Sequence, residues 1–224
     1  MRIIATSINK GGVGKTTTTK NIACAAVQAG LSVLVLDMDT QQNATNWGRR
    51  REKQDKPLPL VRFTTEQDLP TELERAAKAG CDLVVIDTPP GRSSEAMAAV
   101  EVADLIIVPF WNDQDCYDGV TKTAALTRRL GKQAVAVFNF ATPNSKSHEE
   151  TAREVLKAIG LPIAPTVFHR YDIHRLANVE GLTALEFDAD SNAAHEITQF
   201  WKWLSAQLHL SKRAHVQEGA LEHV

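Results

Sequence analysis

The sequence predicts a doubly wound α/β protein: a mostly parallel sheet with helices on both faces, formed as one domain over residues 1–210. Three observations predict it. Short β-branched runs alternate with longer helical segments from one end of the chain to the other. The runs are near-continuously apolar, as strands covered on both faces are, rather than alternating. The first run passes through a glycine-rich turn straight into a helix. The βαβα order implies right-handed crossovers, and in such sheets ligands sit at the carboxyl ends of the strands.

Taken in order, Ile3 to Ile8 reads as the first strand and Lys15 to Ala29 as a helix closed by Gly30, a residue free to adopt the left-handed conformation past a helix end. Ser32 to Leu36, Leu83 to Ile86, Leu105 to Val108 and Ala134 to Phe138 are further strands, with a last short one near Pro165 to Phe168. Helical stretches cover Glu72 to Ala79, Ser93 to Val102, Gly119 to Arg129, His148 to Ile159 and Ala193 to Leu208. The polar stretch Arg49 to Lys56 reads as a helix end and connection, and residues 211–224 as a polar tail expected to fray.

Composition narrows the functional class. Of 224 residues, 43% are hydrophobic and 23% charged, ordinary for a globular chain that needs no disulfide or structural metal. A formal net charge of -2 argues against a wholly basic nucleic-acid-binding surface but allows a local patch. Cys24, Cys81 and Cys116 are far apart, so no zinc or iron–sulfur spacing exists and reduced, buried thiols are expected. The first residues are too briefly apolar for a signal peptide, and no apolar run approaches the ~20 residues of a spanning helix. The expected location is the cytoplasm.

The segment Lys10-Gly11-Gly12-Val13-Gly14-Lys15-Thr16-Thr17 follows a strand and opens a helix. Glycines let backbone N–H groups turn around an anion, and the helix start adds unsatisfied N–H groups and a positive dipole end. This is a P-loop. Lys15 is expected on the β/γ-phosphates of ATP and the Thr16 hydroxyl on Mg²⁺, with Gly11, Gly12, Val13, Gly14 and Thr17 completing the cradle. ATP hydrolysis also needs strand-end carboxylates for Mg²⁺ and its waters. Val33 to Asp39 and Leu83 to Gly91 supply them: Asp37 and Asp39 in the first, Asp87 in the second.

The second lysine, Lys10, makes the loop resemble the deviant Walker A motif of the ParA/MinD family, and Asp87-Thr88-Pro89-Pro90 resembles another of its signatures. The resemblance runs from Ile3 to about Leu204, most closely to the small ParA partition ATPases. It implies that Lys10 reaches across an ATP-dependent homodimer to the partner's nucleotide. It further implies that Asp39 positions or activates water, that Asp37 lies beside the Mg²⁺ shell, that Asp87 holds a Mg²⁺-bound water, and that Asn139 binds adenine. Thr40 and Gln42 stand where the family usually has Pro and often has Gly.

By the same resemblance, the ATP dimer binds DNA without sequence preference and associates with the nucleoid. A ParB-like or centromere-binding adaptor then stimulates an otherwise weak ATPase and releases it, for plasmid or chromosome partition. Candidate DNA contacts are Arg170, Arg175, Lys202, Lys212 and Arg213, with Arg49 to Arg51 as a second patch. No domain is expected ahead of the loop. Two alternatives share the chemistry: an ATPase positioning another cargo, such as a microcompartment or chemosensory cluster, and a MinD-like membrane-associated division regulator. The latter needs a terminal amphipathic helix; Ile197 to Leu204 is aromatic, but its apolar residues are expected to close the core, and no stable membrane association is expected. A biosynthetic ligase of the superfamily is disfavoured by Lys10 and the Asp-Thr-Pro-Pro run.

Overall fold

The computed structural model describes residues 1–91, 93–142 and 146–210. Among them, six strands form one sheet in the order β3-β2-β4-β1-β5-β6, every pair parallel. The strands are β1 (Arg2–Thr6), β2 (Val33–Asp37), β3 (Leu60–Phe63), β4 (Leu83–Asp87), β5 (Leu105–Phe110) and β6 (Gln133–Phe138).

Successive residues of each strand face opposite sides, and both sides are apolar, so the sheet carries two cores. Leu34, Leu36, Val84, Ile86 and Ile106 pack with Ala76 of α3 (Leu69–Lys78), Ala99 of α4 (Ser94–Val102), Val120 of α5 (Gln114–Arg129) and Leu156 of α6 (Lys146–Ile159). Val33, Val35, Val85, Leu105 and Ile107 pack with Ile22 of α1 (Lys15–Gln28), Ala44 of α2 (Asn43–Glu52), Leu185 of α8 (Ala184–Phe187) and Ile197 and Phe200 of α9 (Asn192–Gln207). A seventh helix, α7 (Ile173–Val179), precedes α8. Ile197, Phe200, Trp201 and Leu204 are buried, so the aromatic segment does close a core. Among the described residues no helix is long and apolar enough to cross a membrane.

Several elements depart from the sequence-based expectation. The segment near Pro165 to Phe168 is not a strand. Phe168 N–H donates to the Phe138 carbonyl, and Ile163 and His169 form isolated bridges, but Pro162 and Pro165 lack the N–H groups a continuous ladder requires. The strand β3 was not expected, because Leu60-Val61-Arg62-Phe63 lies at the sheet edge and is only partly covered. Helix α5 begins at Gln114, where Asp113 accepts from the Cys116 N–H, five residues ahead of the expected start. The helices α2, α7 and α8 lack the long apolar periodicity that marks the others. The tail, with the candidate DNA contacts Lys212 and Arg213, lies outside the described residues.

The expected second basic patch at Arg49 to Arg51 is also corrected. Arg51 is 3% exposed and forms a two-pronged ion pair with Glu186: Nη2 to Oε1 at 2.7 Å and Nη1 to Oε2 at 2.8 Å. It also donates to the carbonyls of Leu58 and Gly181 and lies 4.7 Å from the centroid of the Trp47 ring. Gly181 has φ +74°, and a Cβ there would come within 2.7 Å of the Arg51 backbone nitrogen. A glycine is therefore required where the chain passes α2. This buried pair ties α2, which follows the β2 carboxylates, to the α7–α8 segment.

Burial raises the Glu186 pKa, but its bonds to Arg51 and Thr183 outweigh that and hold the carboxyl below its ordinary 4.5. A lowered carboxylate pKa adds stability that is complete above the unfolded value and fades as pH falls through the folded one. Glu186→Gln is expected to lower the unfolding free energy by about 3–5 kcal/mol at pH 7, since it strands a buried guanidinium. Urea titrations from pH 7 to pH 3 should show the gap between variant and parent narrowing below pH 4.5.

Candidate functional site: a phosphate loop and two strand-end carboxylates

The site lies where β1 ends and α1 begins. Gly12 (φ +75°) and Gly14 (φ +90°) hold left-handed conformations that curl the loop, and a Cβ on Gly14 would meet Asn139 Nδ2 at 2.7 Å. Asn139, just past β6, braces the loop from behind: its Nδ2 donates to the Val13 carbonyl at 2.9 Å. The helices α4, α5 and α9 each start with a side chain accepting from a backbone N–H. In contrast, α1 starts at Gly14 with no capping side chain and no acidic residue in its first turn. Its N–H groups and dipole end therefore favour an anion.

Lys15 is 7% exposed and its Nζ donates to the Lys10 carbonyl at 3.1 Å. Burial lowers its pKa, and the Asp87 and Asp39 carboxylates partly offset this. Lys10 behaves differently. Its ammonium is paired with Asp115 Oδ2, in the first turn of α5, at 2.6 Å. That hydrogen bond raises the Lys10 pKa and lowers that of Asp115. Asp115 was not anticipated, because 105 residues separate it from Lys10.

Parallel register sets the carboxylates. In the β2–β4 pair Asp37 stands opposite Asp87, and in the β1–β4 pair Thr6 stands opposite Asp87, so these groups share one level at the carboxyl edge of the sheet. Asp87 is fully buried and its Oδ2 accepts from the Thr16 hydroxyl at 2.6 Å. Burial drives its pKa up to about 7, against the pull of the Thr16 hydrogen bond.

Asp37, also fully buried, spends its oxygens on protein. Oδ2 accepts from the N–H and hydroxyl of Thr45 at 2.8 and 3.0 Å, and Oδ1 from the Asp39 N–H at 3.1 Å. It fastens the loop and the first turn of α2. Asp39 is 8% exposed and its Oδ1 accepts from the Gln41 N–H at 2.9 Å. Gln42 adopts φ +53°, the conformation a glycine takes without strain.

These residues suit a magnesium nucleotide. Among the described residues no cluster of three or more His, Cys, Asp or Glu could hold a metal by itself. Mg²⁺ keeps several waters and uses one or two protein groups plus substrate phosphates. Thr16 and Asp87 could supply those groups, and Mg²⁺ held there would neutralise phosphate charge. Beyond the helix start, Thr16–Thr18, Asn139, Phe140, Phe168 and Tyr171 line part of a cleft of about 590 Å³. Asn139 Oδ1 is buried there with no hydrogen-bond partner among the described residues, an acceptor that matches an exocyclic amine such as adenine's. Arg170 and Arg175 are exposed and line the same cleft; Lys202 is exposed on α9 and does not.

A glycine loop with an uncapped helix start, a buried lysine, and a helix hydroxyl on a strand-end carboxylate together define a P-loop nucleotide-binding protein. More narrowly, the chain belongs to the CobQ/CobB/MinD/ParA family, whose nucleotide binding domain matches residues 4–183. It is 30% identical to the Maintenance of carboxysome distribution protein A of Gloeobacter kilaueensis over 216 residues, covering 90% of this chain and 96% of that one. It is 35% identical to the Chromosome-partitioning ATPase Soj of Thermus thermophilus over 146 residues, 54% of this chain and 59% of that one. The fold matches the septum site-determining protein MinD complexed with Mg-ADP from Pyrococcus horikoshii, with a TM-score of 0.74 at 19% identity, covering 92% of this chain and 97% of that one.

Gly14→Ala is expected to reduce nucleotide affinity at least about tenfold, since it combines a strained φ with a collision into Asn139. Gly80→Ala, with φ +75° and nothing within 4 Å of the added Cβ, should cost about 1 kcal/mol of stability and leave affinity unchanged. Titration with a fluorescent ATP analogue, alongside thermal melts, separates strain from collision.

Proposed function

We propose that this protein is an ATP-timed switch of the ParA type: it dimerises around Mg·ATP, binds DNA without sequence preference, and is released when a partner protein stimulates hydrolysis. Its task on this reading is to position a cargo. The observation that carries the switch is the double lysine. Lys15 is buried at the helix start, while Lys10 is on the rim of the loop, paired among the described residues with an exposed carboxylate.

An exposed ion pair of this kind is weak, so Lys10 is free to exchange Asp115 for the phosphates of a second subunit's nucleotide. A cation delivered by a partner stabilises developing phosphate charge as an arginine finger does. When bound, ATP supplies the phosphoryl chemistry. Lys15 and the α1 N–H groups bind phosphate, Thr16 and Asp87 serve Mg²⁺, Asp39 orients water and Asn139 meets the base. Asp37 acts by holding the Asp39 loop against α2.

The cargo assignment departs from the partition role that the sequence resemblance puts first. The similarity to a carboxysome distribution protein extends nearly end to end, whereas that to Soj spans about half of the chain. This supports positioning of a cargo other than a replicon, with partition as the second reading. The exposed Arg170, Arg175 and Lys202 are the proposed DNA contacts.

Lys15→Ala should abolish nucleotide binding. Asp39→Ala should keep ATP binding and dimerisation but slow hydrolysis about 10²-fold or more. Wild-type protein should bind arbitrary duplex DNA with ATP and not with ADP, with affinity falling steeply as salt rises. Binding indifferent to nucleotide, or normal turnover in Asp39→Ala, refutes the switch.

A further inference from the structure

The cleft beside the P-loop carries more positive charge than a nucleoside can use. None of Gly11–Lys15, which hold the triphosphate in the proposed reading, lines it, yet Lys20, Arg50, Arg170 and Arg175 do. Asp172 is the one acidic residue in the lining, and adenosine is neutral. Among the described residues none of those four cations forms an ion pair with a carboxylate.

The charge is concentrated at the end formed by α1, α2 and α7. Lys20 is 9% exposed, and its Nζ donates to Asn178 Oδ1 at 3.0 Å. Arg50 donates to the same oxygen through Nη2 at 3.4 Å, and through Nε to the Asn178 carbonyl at 3.0 Å. Two cations thus converge on one neutral residue, and the Trp47 ring, 5.6 Å from Lys20 Nζ, is the other group that Lys20 faces. Burial drives the Lys20 pKa down to about 8; the Asp87 carboxylate opposes this more strongly than Arg50 adds to it, yet among the described residues Lys20 forms no ion pair with Asp87 or Asp37, which are bonded to Thr16 and Thr45. Like charges kept close in a partly dry site cost free energy unless an anion joins them.

We propose that the Lys20–Arg50–Asn178 end of the cleft is a second phosphate subsite, distinct from the P-loop, that takes a terminal phosphate or diphosphate group of a small molecule bound beside ATP. The depth of Lys20 selects a terminal group. A duplex backbone phosphodiester carries a sugar on each side and cannot follow the cleft down to a 9% exposed ammonium. Arg175, exposed at the rim, adds a third cation to guide entry. Because the cleft also meets the α2 end of the Asp37–Asp39 loop, such a ligand would report metabolic state to the switch. This last consequence rests on the proposed ATP reading; the subsite itself does not.

Calorimetric titration of pyrophosphate into protein saturated with Mg²⁺ and a non-hydrolysable ATP analogue tests it. Pyrophosphate should bind the loaded protein, and Arg50→Gln and Lys20→Met should each weaken that binding about tenfold or more while affinity for the analogue stays unchanged. No binding, or binding unaltered in both variants, overturns the subsite. Displacement of pyrophosphate by duplex DNA overturns the small-molecule assignment. If the analogue itself does not bind, the ATP reading falls instead, and titration of Lys15→Ala with pyrophosphate still reports on the subsite alone.

Discussion

The arrangement depends on one buried contact, the hydrogen bond from the Thr16 hydroxyl to Asp87. A carboxylate with no exposed surface is costly to keep in a protein interior. It is tolerable here because the hydroxyls of Thr16, Thr6 and Thr19 surround it and Lys15 and Lys20 lie close enough to act on its charge. These groups come from β1, β4 and α1, so the contact holds only if the two strands are neighbours with their carboxyl ends level. The sheet order, with β4 between β1 and β2, meets that condition and brings Asp37 to the same level.

From that point, rigidity spreads in one direction. Asp37 fastens Thr45, and with it the start of α2. At the other end of α2, Arg51 is clamped to Glu186, and Trp47 Nε1 donates to the Leu182 carbonyl between them. The helix following the first carboxylate loop is therefore fixed at both ends, one to the sheet and one to the α7–α8 segment. The loop Met38–Gln42 is the span between fixed points, and it contains Asp39 and the strained Gln42. A short loop between anchored ends suits a two-position element, because its change of shape moves neither anchor.

The two lysines of the P-loop show how placement assigns different work to identical side chains. Lys15 is inside, with its ammonium on a backbone carbonyl and its pKa lowered by burial. Lys10 is outside, on an exposed aspartate that keeps it charged. The first is suited to a ligand that enters the chain's own loop, the second to exchange of partners at a surface. Cations in the cleft make the same distinction: Arg170 and Arg175 are exposed, while Lys20 and Arg50 are turned inward onto Asn178.

By itself the sequence determined the class of fold, the phosphate loop and the three strand-end carboxylates. Each of these is written in local pattern: unbroken apolar runs, glycines at fixed offsets before a lysine, an aspartate closing a buried strand. Only the tertiary structure decided that Arg51 lies buried instead of forming a basic surface, that Asp37 serves α2, and that Lys10 rests on Asp115. It also decided that Pro165 to Phe168 makes bridges rather than a strand, and that Leu60–Phe63 joins the sheet edge. The reason is separation along the chain: Arg51 and Glu186 lie 135 residues apart, and Lys10 and Asp115 lie 105 apart. Hydrophobic period and turn chemistry report on neighbours within a few residues. Which charges meet across such distances is settled when the strands take their places in the sheet.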